Sequence, residues 1–378
     1  MFTTLSAGDT AWILACTALA FLAVPGLALF YGGLFPKKNP LSIFLPCLLA
    51  ASLVFLQWIL FGYSLSFGPD HNGWIGTLAQ AGLFGIGTEP NLEYAGTIPS
   101  LAFVSYHAML AAIAIIILLA TFADKMKLSA LCVFAFLWTT LVYDPSAHWV
   151  WSVGGFLRRS NVIDFAGGSV AHLNAAVSAL AAAWILGKPP AATSTDAVSD
   201  NPLLVILGGL FLWLGWFGWI GGRALSAGPD AAGALAAAQA SAIAGGLIWT
   251  GLDRMIYKEP TLAGFFAGVV AGLVAITPAA QSASVLGAVG IGFGAAIICY
   301  GSFVFLEKRV RLGTSIFPIV IHGVGGVCGL MIVGQPLIQM KAILGITLYA
   351  FGMSYVLLKI IDYVMGLTRS RPADPSEA

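Results

Sequence analysis

Two histidines, His172 and His322, each stand in the middle of a long apolar stretch, DFAGGSVAHLNAAVSALAAAWIL and TSIFPIVIHGVGGVCGLMIVG. A neutral imidazole donates one hydrogen bond and accepts another, and its unperturbed pKa of about 6.5 lies near physiological pH. Ionisable groups at bilayer depth are costly and usually face a pathway rather than lipid. The chemistry open to such a pair is hydrogen bonding to a small polar solute, or passing a proton. The residues alone leave a second reading open, a buried structural pair satisfied by backbone carbonyls.

The elements that carry these rings are built for lipid. Of 378 residues, 59% are hydrophobic and only 9% charged, where a soluble domain carries about 25% charged residues. The net charge of +1 and the lack of a basic run exclude a nucleic-acid partner. Cys16, Cys47, Cys132, Cys299 and Cys328 all fall in apolar segments without metal-ligand spacing, so no metal or cofactor is expected. No nucleophile–base set or phosphate loop points to an enzyme. The start, MFTTLSAGDTAW, has no positive charge before its apolar run, which predicts a first true span near Asp9 rather than a cleaved signal peptide. Glycine, with 45 residues, exceeds the average share of about 7% and suits close helix packing in a membrane.

At about 20 apolar residues per span, the pattern predicts an all-α polytopic membrane protein of eleven transmembrane helices. They run approximately over 9–34, 40–67, 98–122, 128–144, 164–187, 202–224, 231–253, 260–277, 283–306, 315–334 and 340–366. The fourth is short, and the two longer connections, 68–97 and 145–163, face outward, which makes His71 and His148 outer-loop residues. A polar linker spans 188–201. Twelve lysines and arginines fall on one side if the N-terminus is outside: Lys37, Lys38, Lys125, Lys127, Lys188, Arg254, Lys258, Lys308, Arg309, Arg311, Arg369 and Arg371. Only Arg158, Arg159, Arg223 and Lys341 face the other way, so the N-terminus is placed out and the C-terminus in. Eleven spans permit a five-plus-five inverted repeat with one helix over. His172 in the fifth span and His322 in the tenth then occupy corresponding positions, where such repeats place a midplane site.

Several motifs in order resemble the ammonium transporter (Amt/Rh) family, on its Amt side. These are PGLALFYGGL with KKN, FGYSLSFG, AHWVW, DFAGGSVAH, GWFGW and HGVGGVCG. The resemblance covers the first span to the eleventh, 1–367, and leaves 368–378 as a short cytoplasmic tail. It implies a homotrimer in the cell (plasma or inner) membrane, with a narrow hydrophobic pore in each subunit. It also implies that His172 and His322 face each other across that pore. Ammonium would lose its proton near the outer mouth and pass as ammonia, because a bare ion in a dry channel has a large desolvation penalty. Asp164 matches a family aspartate at the outer entrance, where a carboxylate can cap a helix N-terminus. Trp151 matches the tryptophan of the outer recruitment site, and Phe30 and Tyr31 match residues near the lower pore.

The entrance departs from the family. Tyr106 and Leu110 replace two phenylalanines of the third span, and Trp219 replaces the other gate phenylalanine, a volume-conserving exchange. Arg223 stands where the family has a serine that helps hold ammonium, and a fixed cation there repels the substrate. Asp144 is the expected ion-pair partner of Arg223, and His107, one turn from Leu110, reaches the vestibule or packs in the core. The tail, TRSRPADPSEA, lacks the motif of members regulated by a PII-type protein, which argues against that partner. Ammonium or ammonia and membrane lipid are the expected partners. The alternatives are an ammonium-binding sensor with little conduction, or an Rh-like channel for another small neutral molecule.

Overall fold

The computed structural model describes residues 5–34, 41–187, 201–310 and 316–368, which are mostly helical. Lys37, Lys38, Lys188, Arg311, Arg369 and Arg371, the linker over 188–200 and the tail beyond Thr368 lie outside the described residues. The helical segments are α1 (Ala7–Leu34), α2 (Ile43–Phe67), α3 (Ser100–Leu119), α4 (Leu128–Arg159), α5 (Gly168–Leu186), α6 (Pro202–Arg223), α7 (Pro229–Tyr257), α8 (Leu262–Ile276), α9 (Val285–Arg309), α10 (Ile316–Ile332) and α11 (Pro336–Met365). Among the described residues nine are long and apolar enough to cross a membrane, and α8 and α10 are shorter apolar helices. The segment after α2 forms two small hairpins, β1 (Asp70–His71) with β2 (Ile75–Gly76) and β3 (Pro90–Asn91) with β4 (Ala95–Pro99).

Proline shapes two of the helices. Pro25 has no N–H for the Phe21 carbonyl, and α1 accordingly divides into Ala7–Phe21 and Ala23–Leu34. In α4 the outcome differs from the expected end near Asp144. A π-helical turn at Thr139–Tyr143 precedes Asp144–Pro145, and the helix continues through Trp151. The wider turn accommodates the ring. The Leu141 carbonyl, which Pro145 cannot serve, accepts the Tyr349 hydroxyl of α11 at 2.6 Å. His148 is therefore a buried helix residue and not a loop residue. His71 lies in the first hairpin, exposed.

Packing pairs recur along the chain. Helix α2 packs on α3 and α4 as α7 packs on α8 and α9, and α3 meets α5 as α8 meets α10. The second half of α1 lies along α6, where a Cβ on Gly208 would fall 2.2 Å from the Phe30 backbone nitrogen. That close approach fixes Phe30 and Tyr31 against the centre. Helices α5 and α10, which carry the two histidines, touch each other there.

Candidate functional site

The site begins with the turn that opens α5. Asp164 Oδ1 accepts from the backbone N–H groups of Gly167 and Gly168 at 2.8 and 2.7 Å. Its Oδ2 accepts from Ser169 N–H at 2.7 Å, Val170 N–H at 3.3 Å and the Ser169 hydroxyl at 2.5 Å. One buried carboxylate thus satisfies the donors that a helix start leaves unpaired. Gly167 holds φ +109°, a left-handed conformation that side chains rarely adopt. The following turn, Gly168–Leu173, is π-helical, with His172 N–H reaching the Gly167 carbonyl at 3.0 Å. His322 also lies in a π-helical turn, Val320–Val324. Such turns leave an extra residue that re-aims a side chain, and they concentrate at functional sites.

The two imidazoles meet, with His322 Nδ1 3.2 Å from His172 Nδ1. Both rings are fully buried. His322 Nε2 lies 2.8 Å from the Tyr31 hydroxyl, and His172 Nε2 lies 3.4 Å from Thr277 Oγ1. Thr277 gives its own hydrogen to the Leu273 carbonyl at 2.7 Å, so towards His172 it can only accept. The tautomers then follow from the end of the chain. His172 donates from Nε2 to Thr277 and accepts at Nδ1 from His322, which in turn accepts at Nε2 from Tyr31. All members are neutral. Aromatic rings wall the pair, with Trp216 stacked on His172 at 5.4 Å, and Trp219 at 5.0 Å. Trp216 also donates to Thr277 Oγ1 at 3.2 Å.

Outside this stack lies a cavity of about 340 Å³ whose lining includes Phe103, His107, Trp151, Arg158, Asp164 and Arg223. Trp151 donates from Nε1 to the Asp164 carbonyl at 2.9 Å, and the Arg223 guanidinium carbon sits 5.2 Å from the centre of the Trp151 ring. Between cavity and histidines, the Tyr106 hydroxyl donates to the Trp219 carbonyl. Trp219 Nε1 donates to the Ala166 carbonyl at 2.8 Å. Leu110, one turn further along α3, is fully buried.

Asp144 is not among the residues lining this cavity, and among the described residues it forms no ion pair with Arg223. Its carboxyl group is fully buried between α2 and α4, where Gln57 Nε2 lies at 2.6 Å and Ser66 Oγ at 3.3 Å. The expected Arg223–Asp144 pair is corrected to two separate devices, a cation on an indole face and a carboxyl held by an amide. Trp216, Thr277 and Gln57 were not singled out from the sequence. The spacing of Trp216 and Trp219 in GWFGW, one helical turn apart, was a usable signal for the first. Among the described residues no group of three or more His, Cys, Asp or Glu side chains is placed to hold a metal ion.

Comparison with known proteins gives the chain a family and a fold. Residues 11–375 match the model of the Ammonium Transporter Family. The chain is 37% identical to ammonium transporter Amt1 of Archaeoglobus fulgidus over 382 residues, 96% of this chain and 94% of that protein. A crystal structure of Saccharomyces cerevisiae Mep2 superposes with a TM-score of 0.92 at 29% identity, covering 98% of this chain and 91% of that one. A solved sensor Amt protein superposes with a TM-score of 0.88 at 25% identity, covering 96% and 95%.

Proposed function

This chain belongs to the ammonium transporter family, and we propose that it conducts ammonia across a membrane past His172 and His322. The observation that carries the reading is the Nδ1–Nδ1 contact of 3.2 Å inside a buried, neutral, hydrogen-bonded chain. Aromatic walls offer a bare ammonium ion no replacement for its water, whereas ammonia crosses at far lower cost. Ammonium loses its proton on the outer side of the stack, and the imidazoles exchange hydrogen bonds with the passing ammonia. Phe30 and Tyr31 line the far side, Tyr106, Leu110 and Trp219 the constriction, and Trp151, Asp164, His107 and Arg223 the mouth.

The transmembrane unit is residues 1–367, with eleven crossings, the N-terminus outside, the C-terminus inside and a short tail from 368. The recurring packing pairs support a five-plus-five inverted repeat. We assign the cell membrane, plasma or inner, as its place and a homotrimer as its assembly, without PII-type regulation. A sensor with little conduction is the second reading, favoured by the guanidinium of Arg223 on Trp151 and by the likeness to a sensor Amt protein. Ammonia flux into proteoliposomes, against protein-free vesicles, separates the two. Protein-dependent flux supports conduction, and ammonium binding without flux supports sensing.

A further inference from the structure

Gln339 stands in the first turn of α11 and is only 1% exposed. A primary amide carries two N–H donors and an acceptor oxygen on one stem, and here all three are engaged. Nε2 donates to the Ile163 carbonyl at 2.6 Å and to the Leu330 carbonyl at 3.2 Å. Oε1 accepts the Ile163 N–H at 3.2 Å. These three partners fix which end of the amide is the oxygen.

The backbone explains why an amide belongs there. Leu330 lies in the last turn of α10, where carbonyls have no acceptor duty within the helix. Ile163 sits in the non-helical stretch that leads into Asp164 and α5. The amide exchanges two hydrogen bonds with that one residue, as a neighbouring strand would. Ile163 also packs on the turn between α10 and α11, where a Cβ on Gly334 would lie 3.3 Å from Ile163 Cδ1.

The residues so joined belong to the two helices that carry the histidines. Leu330 follows His322 along α10. Ile163 precedes Asp164, whose carboxylate holds the turn that aims His172. Between the clamp and the rings the helices are in direct contact. A Cβ on Gly326 of α10 would lie 3.0 Å from the Gly168 carbonyl oxygen and 3.4 Å from His172 Cβ. At that approach a slide of α10 along α5 displaces the His172 ring, because close-packed interiors transmit strain. We propose that Gln339 is a positioning residue, which sets the approach of His322 to His172 by tying the end of α10 to the entry of α5. This rests on the transport reading, in which the spacing of the two rings governs passage.

Gln339→Met keeps the length of the side chain and removes all three hydrogen bonds. Ser354→Ala is the control, because it removes a buried contact between the same α11 and α5, the Ser354–Ser178 hydroxyl pair at 2.8 Å, and leaves the clamp intact. Two quantities are read. The first is the dipolar contact between the two Nδ1 atoms, by solid-state NMR on protein with isotopically labelled histidines in lipid. The second is ammonia flux into proteoliposomes per folded protein. Gln339→Met is expected to weaken the contact and to lower the flux several-fold. Ser354→Ala is expected to leave both near the parent's values even where it melts lower. With a conducting parent, a folded Gln339→Met that keeps either value overturns the inference. An equal loss in Ser354→Ala also overturns it, since the effect would then belong to helix packing in general. Gln339→Asn, whose amide is one methylene short of its partners, replaces Gln339→Met if that variant does not fold, and the same outcomes decide. A parent without protein-dependent flux overturns the transport reading. The nitrogen contact then decides by itself whether Gln339 sets the pair, supporting it if weakened in Gln339→Met alone and overturning it if unchanged.

Discussion

His172 and His322 approach through their Nδ1 atoms at 3.2 Å, with ring planes inclined by 27°, and the hydrogen between them has a direction. It is set by Thr277, whose hydroxyl hydrogen is committed to Leu273, so that each donor in the chain points from Tyr31 towards Thr277. On the proposed conduction reading, a neutral stack with fixed tautomers would offer a solute defined donors and acceptors without a formal charge. That polarity makes Thr277 a positioning residue for the pair.

Thr277→Val keeps the shape of the side chain and removes the acceptor of both His172 and Trp216. Leaving buried donors unpaired costs about 1–3 kcal/mol, so the melting temperature in detergent falls. Ammonia flux per folded protein drops roughly tenfold if that loss is felt in passage. Unchanged flux in a destabilised variant would show that the threonine supports the fold and not the tautomers.

Asp164→Ala strips the start of α5 of the acceptor for four N–H groups and the Ser169 hydroxyl. The loss exceeds that of an ordinary cap, about 1 kcal/mol, because the site is buried. A several-degree fall in melting temperature or loss of folded yield is expected, with Asp164→Asn intermediate. Fluorescence-detected size exclusion after heating reads both.

The Gln57–Asp144 contact, 2.6 Å inside the helix bundle, predicts non-additive mutations. Gln57→Leu leaves the buried carboxyl group with Ser66 as its remaining partner and destabilises by about 1–3 kcal/mol. Replacing both, as Gln57→Leu with Asp144→Ile, returns the protein to parental stability within about 2 kcal/mol, since apolar pairs of similar volume replace buried polar ones well. Additive losses in thermal unfolding would contradict the pairing.

Asp70, in the first hairpin, contacts His148 Nε2 at 2.9 Å and accepts the Gly73 N–H at 2.8 Å. Partial burial works against its charged form, but the His148 hydrogen bond and the Gly73 N–H outweigh it and hold the carboxyl below the usual carboxylate range. A lowered folded pKa means a stabilisation present above about pH 4 and lost as pH falls through the folded value. Asp70→Asn should therefore melt below the parent at neutral pH, with the gap closing on acidification. A gap that stays constant into acid would remove the carboxylate from the account.

Much of this was legible in the sequence because membrane helices and their intruding polar residues leave plain marks. His172, His322, Asp164 and Trp151 were recognisable from their strings. The continuation of α4 was not. Asp144–Pro145 reads as a stop, and only the π-helical turn before it and Tyr349 from α11 explain why the helix goes on. The π-helical turns under both histidines were equally invisible, since an i→i+5 bond does not alter an all-apolar pattern. Thr277 comes from the end of α8, far along the chain from both histidines, and no local spacing announces it. Asp144 was misassigned for a related reason. Charge suggested Arg223 as its partner, but the uncharged Gln57 of α2 was nearer.

The most direct test of the central claim is ammonia flux in proteoliposomes for the parent beside His172→Ala, His322→Ala and the double variant, each checked for intact folding. The parent should conduct above protein-free vesicles, and each single variant should lose most of the flux. The double variant should lose no more than about tenfold beyond the worse single one, because the pair acts as a unit. Folded variants that conduct ammonia as the parent does would contradict the claim that ammonia passes by way of these two histidines.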